Sequence, residues 1–240
     1  MTHKPLISVV TVCFNAAKCI VPTVKSVVNQ TYTDYEYIVI DGGSTDGTLD
    51  VIKSFSNRIN VLISEPDNGV FEAMNKALKH ARGEWICFMN AGDSFYSSSV
   101  LQQVASYMLN PLIMLYGDTE YVRVSGKKIE VAEPVRYIHK NMPTSHQSFF
   151  VRTEMARETG FNLKYRYASD YNMVYHLFQE YGAERVAHVP VTVSSYEAIT
   201  GMSKQNEVAV YGEATRIKRW SAYKCFCILN YVYKRIAQML

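Results

Sequence analysis

Four aspartates and one histidine stand where side chains of their type could do chemistry. Asp93 closes the polar turn Asn90-Ala91-Gly92-Asp93, directly after the apolar run Trp85–Met89. A carboxylate placed there can hold a hard divalent cation through oxygen. Asp170, in Tyr167-Ala168-Ser169-Asp170-Tyr171, opens an amphipathic stretch. A carboxylate within reach of a hydroxyl can take its proton as that hydroxyl attacks. Asp41 precedes Gly42-Gly43. It can accept a hydrogen bond from a ligand N–H or hydroxyl while the glycines let the backbone come close. His146, in Thr144-Ser145-His146-Gln147-Ser148, can reach a phosphate, a metal or a hydroxyl. Each has a plainer reading: an Asp-Gly turn, an Asn-Ala-Gly-Asp turn, a helix-start aspartate in the dipole field, a structural histidine. Asp67, in Pro66-Asp67-Asn68-Gly69, either faces a ligand or caps the following helix.

The elements that must position these groups alternate. Leu6–Phe14 is a β-branched run too apolar for a strand with one wet face, which suits a parallel strand covered on both sides. Ala17–Asn29 carries Ile20, Val24, Val27 and Val28 at helical spacing. Strands follow at Tyr35–Ile40, Val61–Ser64 and Trp85–Met89, with helices at Thr48–Phe55 and Val70–Arg82. This βαβαβαβ order predicts an α/β fold, an open, mostly parallel sheet with helices on both faces. Ligands of such sheets sit beyond the carboxyl ends of the strands. Asp41–Gly47, Glu65–Gly69 and Asn90–Asp93 would therefore share one rim, with Thr11, Phe14 and Asn15 at the end of the first strand. The second half is less regular. A helix is expected at Ser98–Met108, a strand at Leu112–Tyr116 and a hairpin within Glu120–Val131. Then come a strand at Ser148–Val151, helices at Thr153–Thr159 and Ser169–Tyr181, and one or two strands in Arg185–Tyr196.

Composition narrows the class. The 240 residues are 48% apolar and 20% charged with a net charge of +3, which fits a folded protein and argues against broad nucleic-acid binding. Five cysteines, an odd number without a C-x-x-C pair, read as reduced thiols of a cytosolic protein. The N-terminus shows no export pattern, and no apolar run approaches the ~20 residues that span a bilayer. The expected location is the cytoplasm.

Taken in order, Ser8-Val-Val-Thr-Val-Cys-Phe-Asn15, Asp41-Gly-Gly-Ser-Thr-Asp-Gly-Thr48 and Asn90-Ala-Gly-Asp93 resemble family 2 of the GT-A glycosyltransferases. The likeness spans about residues 6–200 and is greatest to the bacterial enzymes of exopolysaccharide, capsule and O-antigen synthesis. It implies a GT-A fold and an inverting transfer from a nucleotide-diphosphate sugar, with a UDP-sugar the expected donor. It also implies a cell-surface polysaccharide role and a glycan or polyprenyl-diphosphate-linked acceptor. By the same resemblance Asp170 is the catalytic base and Asp93 the ligand of a divalent cation, Mg²⁺ or Mn²⁺. Thr11, Phe14, Asn15, Asp41, Gly43, Asp67, Asn90, Ala91, Gly92 and His146 would line the donor site. The chain departs from the usual DxD pattern, because Asn90 and Gly92 stand where many members have Asp. That leaves a metal-poor or metal-independent mode open.

The expected organisation is a catalytic domain over 1–203, with a nucleotide half to about 95, and a helical tail over 204–240. The tail interleaves Arg216, Lys218, Arg219, Lys224, Lys234 and Arg235 with Trp220, Tyr223, Phe226 and Tyr231. Such a face suits peripheral contact with a membrane, or packing on the domain or on a second copy in a homodimer. A nucleotidyltransferase is disfavoured because the loop after the first strand, Asn15-Ala-Ala-Lys18, lacks a Gly-rich basic signature. The absence of G-x-G-x-x-G there likewise disfavours a Rossmann oxidoreductase. A non-catalytic sugar-nucleotide binder is the remaining alternative, and Asp93 and Asp170 speak against it.

Overall fold

The computed structural model describes residues 3–199 and 205–218. Its first half follows the expected alternation: β1 (Ile7–Cys13), α1 (Ile20–Val28), β2 (Tyr35–Asp41), α2 (Thr48–Lys53), β3 (Val61–Ser64), α3 (Val70–His80) and β4 (Trp85–Phe88). Helix α1 starts three residues later than the periodicity predicts. The amides of Cys19 and Ile20 both turn back to the Ala16 carbonyl, so 16–19 form a turn. The second half contains β5 (Ser94–Phe95), α4 (Val100–Ala105), β6 (Met114–Arg123), β7 (Gly126–Glu130), β8 (Phe149–Arg152), α5 (Thr153–Thr159), α6 (Ser169–Tyr181) and β9 (Val186–Glu197).

Among the described residues nine strands form one sheet, ordered β3-β2-β1-β4-β8-β6-β9-β5, with β7 beside β6. Strands β3, β2, β1 and β4 run parallel. Beyond β4 the sheet is mixed, with β6 and β9 a further parallel pair. Strand β8 is antiparallel to both β4 and β6, and β5 is antiparallel to β9. The predicted strand at Leu112–Tyr116 and the first arm of the hairpin are one continuous strand, β6, which pairs with β9 along most of its length.

Alternation along β1 divides the core. Ile7 and Val9 face a cluster built from Ile20, Val24 and Val27 of α1, Ile52 of α2 and Leu101 of α4. Val10 and Val12 face Phe71, Met74 and Ala77 of α3 together with Tyr171 and Val174 of α6. Burying each such side chain contributes about 1.5–3 kcal/mol, and burial on both faces explains why β1 carries no polar alternation. Residues 207–218 are helical, and Ile217, 3% exposed, belongs to the second cluster. The basic and aromatic residues from Arg219 onward lie outside the described residues. No described helix is long and apolar enough to cross a membrane. Cys13, Cys19 and Cys87 are free thiols.

Candidate active site

The carboxyl ends of β1, β2 and β4 do gather the first three motifs. Asp41 ends β2 in register with Cys13 of β1 and Ser64 of β3. It is fully buried and its oxygens are engaged: the Ser64 hydroxyl donates at 2.7 Å, the Ser44 amide at 3.1 Å, and the Ser44 hydroxyl also donates. Burial pushes this carboxyl upward, but the hydrogen bonds from Ser44 and Ser64 outweigh it and hold it below the usual aspartate value. The glycines after it serve an approach between two loops. A Cβ at Gly42 would lie 2.7 Å from Asp67 Oδ2, and Gly43, at φ +81°, sits against Pro66. Asp67 itself accepts from the Gly69 amide at 2.9 Å, in a turn just before α3.

Thr11 stands apart from its expected role. It is fully buried, with its hydroxyl donating to the Met89 carbonyl at 2.8 Å and 2.9 Å from the Tyr37 hydroxyl. It braces β1 against its neighbours from beneath the rim. Phe14, 62% exposed, is open at the strand end. Asn15, at φ +48°, accepts from the Thr45 amide at 2.9 Å, while its own amide donates to Ser44 Oγ at 2.8 Å. The β1–α1 turn and the Asp41–Gly47 loop are therefore strapped together.

The Asn90–Asp93 segment forms a tight turn. The Asp93 amide reaches the Asn90 carbonyl at 3.0 Å, and Gly92, at φ +101°, donates its amide to Thr23 Oγ1. Ala91 ties back to β1 through the Val12 carbonyl. Asp93 is 7% exposed and accepts from the Gln147 side-chain amide and from the Glu197 backbone amide. Burial raises its carboxyl to about 6, a rise that nearby His146 opposes. Among the described residues no three His, Cys, Asp or Glu side chains converge as metal ligands. Neutral amide oxygens lie in the same neighbourhood: Asn90 Oδ1 and Gln147 Oε1 are buried without a hydrogen-bond partner, and the nitrogen of the Gln147 amide is the end that meets Asp93. Hard neutral oxygens with one carboxylate fit Mg²⁺ or Mn²⁺, which complete their shells with phosphate and water. Gln147, next to His146 in the sequence, is the side chain of this loop that meets Asp93 directly.

His146 connects this turn to Asp170. Its Nε2 lies 3.0 Å from Asn90 Nδ2, and its Nδ1 lies 3.2 Å from Asp170 Oδ2. With Asn90 donating, Nε2 is the acceptor and the proton sits on Nδ1, facing Asp170. Burial lowers the affinity of His146 for a second proton, but Asp170 and Asp93 more than offset that and raise it above the usual histidine value. The loop bearing His146 and Gln147 is anchored by buried hydroxyls: Thr119 Oγ1 lies 2.8 Å from Thr144 Oγ1 and 2.7 Å from Ser148 Oγ, which in turn lies 2.7 Å from Ser194 Oγ. Asp170 sits in the first turn of α6, where its Oδ1 accepts from the Tyr171 amide at 2.8 Å. Both His146 and Asp170 line a cleft of about 680 Å³, whose walls include Tyr121, Tyr167, Tyr196 and Tyr211. A second cleft, of about 780 Å³, lies at the amino ends of β1 and β4 and contains none of the candidate residues.

The arrangement thus links a polar rim at the strand ends, through His146, to a carboxylate in a cleft. The family model "Glycosyl transferase family 2" matches residues 8–172, a span running from β1 through the Asp93 turn to Asp170. The chain belongs to glycosyl transferase family 2. Among curated relatives, a PGL/p-HBAD biosynthesis glycosyltransferase of Mycobacterium bovis is 29% identical over 205 residues, 83% of this chain and 79% of the relative. The putative teichuronic acid biosynthesis glycosyltransferase TuaG of Bacillus subtilis is 36% identical over 108 residues, 44% of this chain and 43% of TuaG. Among solved structures, S. aureus TarS 1–349 in complex with UDP-GlcNAc superposes with a TM-score of 0.68 at 20% identity, over 83% of this chain and 60% of that one. The mannosyltransferase PcManGT of Pyrobaculum calidifontis, with GDP-Man and Mn²⁺, gives 0.68 at 18% identity, over 90% of this chain and 65% of the other. This family 2 glycosyltransferase therefore has the GT-A fold, and the chain spans about 60% of the matched TarS fragment.

Proposed function

We propose that this glycosyltransferase moves a sugar from a UDP-sugar to a glycan or lipid-linked acceptor, with inversion, in cell-surface polysaccharide synthesis. One observation carries the reading: the chain Asn90–His146–Asp170 joins the turn of the donor rim to a carboxylate in the neighbouring cleft. An inverting transfer needs that division, with the diphosphate leaving from one side and a base working on the other. A UDP-GlcNAc complex of TarS and the cell-envelope pathways named for the M. bovis and B. subtilis relatives support the donor and the setting.

In this mechanism the nucleotide lies on the rim of β1, β2 and β4, where Phe14, Asn15 and the backbone of Gly43 and Ala91 are available to it. Asp93, with the amide oxygens of Asn90 and Gln147, would hold a divalent cation, which when bound neutralises charge on the departing diphosphate. Asp170 takes the proton of the acceptor hydroxyl as that oxygen attacks the anomeric carbon. His146, donating from Nδ1, orients the Asp170 carboxylate, and the second Asp170 oxygen is held by the Tyr171 amide. The test is transfer and slow hydrolysis across a panel of nucleotide sugars, with Asp170→Asn beside the wild type. Turnover with one donor that collapses in the variant supports the reading. A chain that binds UDP-sugars and neither hydrolyses nor transfers any of them is a binder, and the reading fails.

A further inference from the structure

Helix α6 begins without a cap of its own. Its preceding residue is Ala168, which has no side-chain acceptor, and the buried Ser169 hydroxyl finds no partner. The first amides of a helix nonetheless need acceptors when buried. The amides of the three residues that lead into α6, ending at its cap residue Ala168, are met from the far end of the described chain. Glu213, on the helix at 207–218, is 5% exposed, and its carboxylate accepts from three consecutive backbone amides: Arg166 at 2.9 Å, Tyr167 at 2.8 Å and Ala168 at 3.0 Å. Two residues beyond Ala168 stands Asp170.

We propose that Glu213 is a positioning residue for catalysis: it fixes the backbone of 166–168 and so sets where the Asp170 carboxylate stands in the cleft. This rests on Asp170 being the base. A carboxylate facing three successive N–H groups makes charge-assisted hydrogen bonds, which are short and directional. It also sits at the positive end of the α6 dipole, where negative charge is favoured. The helix bearing it is seated by Ile217 in the core cluster that holds Tyr171 and Val174, and by Lys218 donating to the Lys140 carbonyl at 2.9 Å. Its other residues, Val210, Tyr211 and Ala214, line the cleft that Asp170 opens into. A segment beyond the family-matched residues 8–172 thereby completes the acceptor side of the site.

The experiment compares Glu213→Ala, Glu213→Gln and, as a packing control, Ile217→Ala in the full chain. Amide hydrogen exchange over 166–168 reads the clamp without any activity. It should speed up at least ~10-fold in Glu213→Ala, and less in Glu213→Gln, which keeps one acceptor oxygen. Transfer kcat should fall about 10–100-fold in Glu213→Ala, the scale for ångström misplacement of a catalytic group, with UDP affinity unchanged. Ile217→Ala should lower the melting temperature while retaining most of kcat. If Glu213→Ala does not fold, Glu213→Gln decides on the same readouts. Unchanged exchange at 166–168, or a kcat loss in the Glu213 variant no larger than in an equally destabilised Ile217→Ala, overturns the proposal. A wild-type rate that Asp170→Asn leaves intact defeats the assignment of the base instead, while the exchange data still report the clamp.

Discussion

His146 Nδ1 stands 3.2 Å from Asp170 Oδ2, and its other ring nitrogen stands 3.0 Å from the side chain of Asn90. Asn90, which stands where many family members have aspartate, is thus joined to the proposed base through one imidazole. An aspartate at 90 would place a third carboxylate beside those of Asp93 and Asp170. Asparagine avoids that repulsion and still offers both a donor and an acceptor.

Asp170→Asn keeps the shape of the carboxylate and removes its basicity. Turnover should fall roughly 10²–10⁴-fold, the usual contribution of a general base, with donor affinity nearly unchanged. Steady-state kinetics on both variants, and the anomeric configuration of the product by NMR, check this. A retained anomer or a near-normal rate would falsify the assignment.

The pH dependence has a definite sign. Asp93 holds its proton to about pH 6 when folded, against an ordinary 3.8. The folded state therefore binds more protons than the unfolded one between these values, and stability declines as pH rises from about 4 to 6, by up to about 3 kcal/mol. His146, raised above its usual 6.5, acts in the same sense at higher pH: its contribution is complete below 6.5 and is lost as pH climbs through the folded value. Asp41, lowered, works oppositely, and its contribution is lost only toward strong acid. Asp93→Asn should flatten the melting curve between about pH 4 and 6.

Cation-dependent donor binding needs Asp93 ionised, so it should weaken below about pH 6. Calorimetry with UDP and Mn²⁺ at pH 5 and pH 7.5 should show the difference, and Asp93→Ala should remove it. Equal UDP affinity with Mn²⁺ and with EDTA in the wild type would end the metal role of Asp93.

Asp41→Ala leaves the Ser44 and Ser64 hydroxyls and the Ser44 amide without their acceptor. The expected result is a stability loss of about 1–3 kcal/mol together with weaker UDP binding, because the loop that this carboxylate orders belongs to the proposed donor rim. Denaturant titration and calorimetry on the same variant separate the two effects. Unchanged values in both would return Asp41 to an ordinary turn residue.

Two truncations should behave differently. A chain ending after Lys218 keeps Glu213 and Ile217 and should retain fold and UDP binding, with any membrane pelleting lost. A chain ending after residue 203 loses both, and with them the cover over α6. It should fold poorly or turn over slowly. Sedimentation with vesicles and thermal melts of the two chains distinguish the roles.

The parallel half of the fold was legible because covered strands and amphipathic helices write their period into the sequence. Thr153–Thr159 and Ser169–Tyr181 have the bounds that the pattern predicts. Strand β5 was not legible: two residues carry no period, and it exists only because Ser194 and Ser195 lie beside it. Thr11 lies beneath the rim because a run covered on both faces does not say whether its polar residue reaches a rim or a neighbouring tyrosine. The place of Asp41 at a strand end was legible, but not the serine from β3 that holds it, since pairing between strands decides that contact. Glu213 gave no signal. An acidic residue in a basic amphipathic tail reads as surface until the helix is docked.

Strand β9 enters the sheet between β6 and β5, although both precede it in the chain. A nascent polypeptide that has reached residue 185 therefore holds two open strand edges where the finished molecule holds a continuous ladder. Such edges template pairing between chains. Closing them demands contacts as distant in sequence as Phe95 with Ser194, a slow kind of closure. Biogenesis should accordingly be most vulnerable in that interval: slowed synthesis or a premature stop near residue 185 would yield sticky, chaperone-dependent fragments, whereas completion through β9 seals the edge and brings the Glu197 amide onto Asp93 in the same movement.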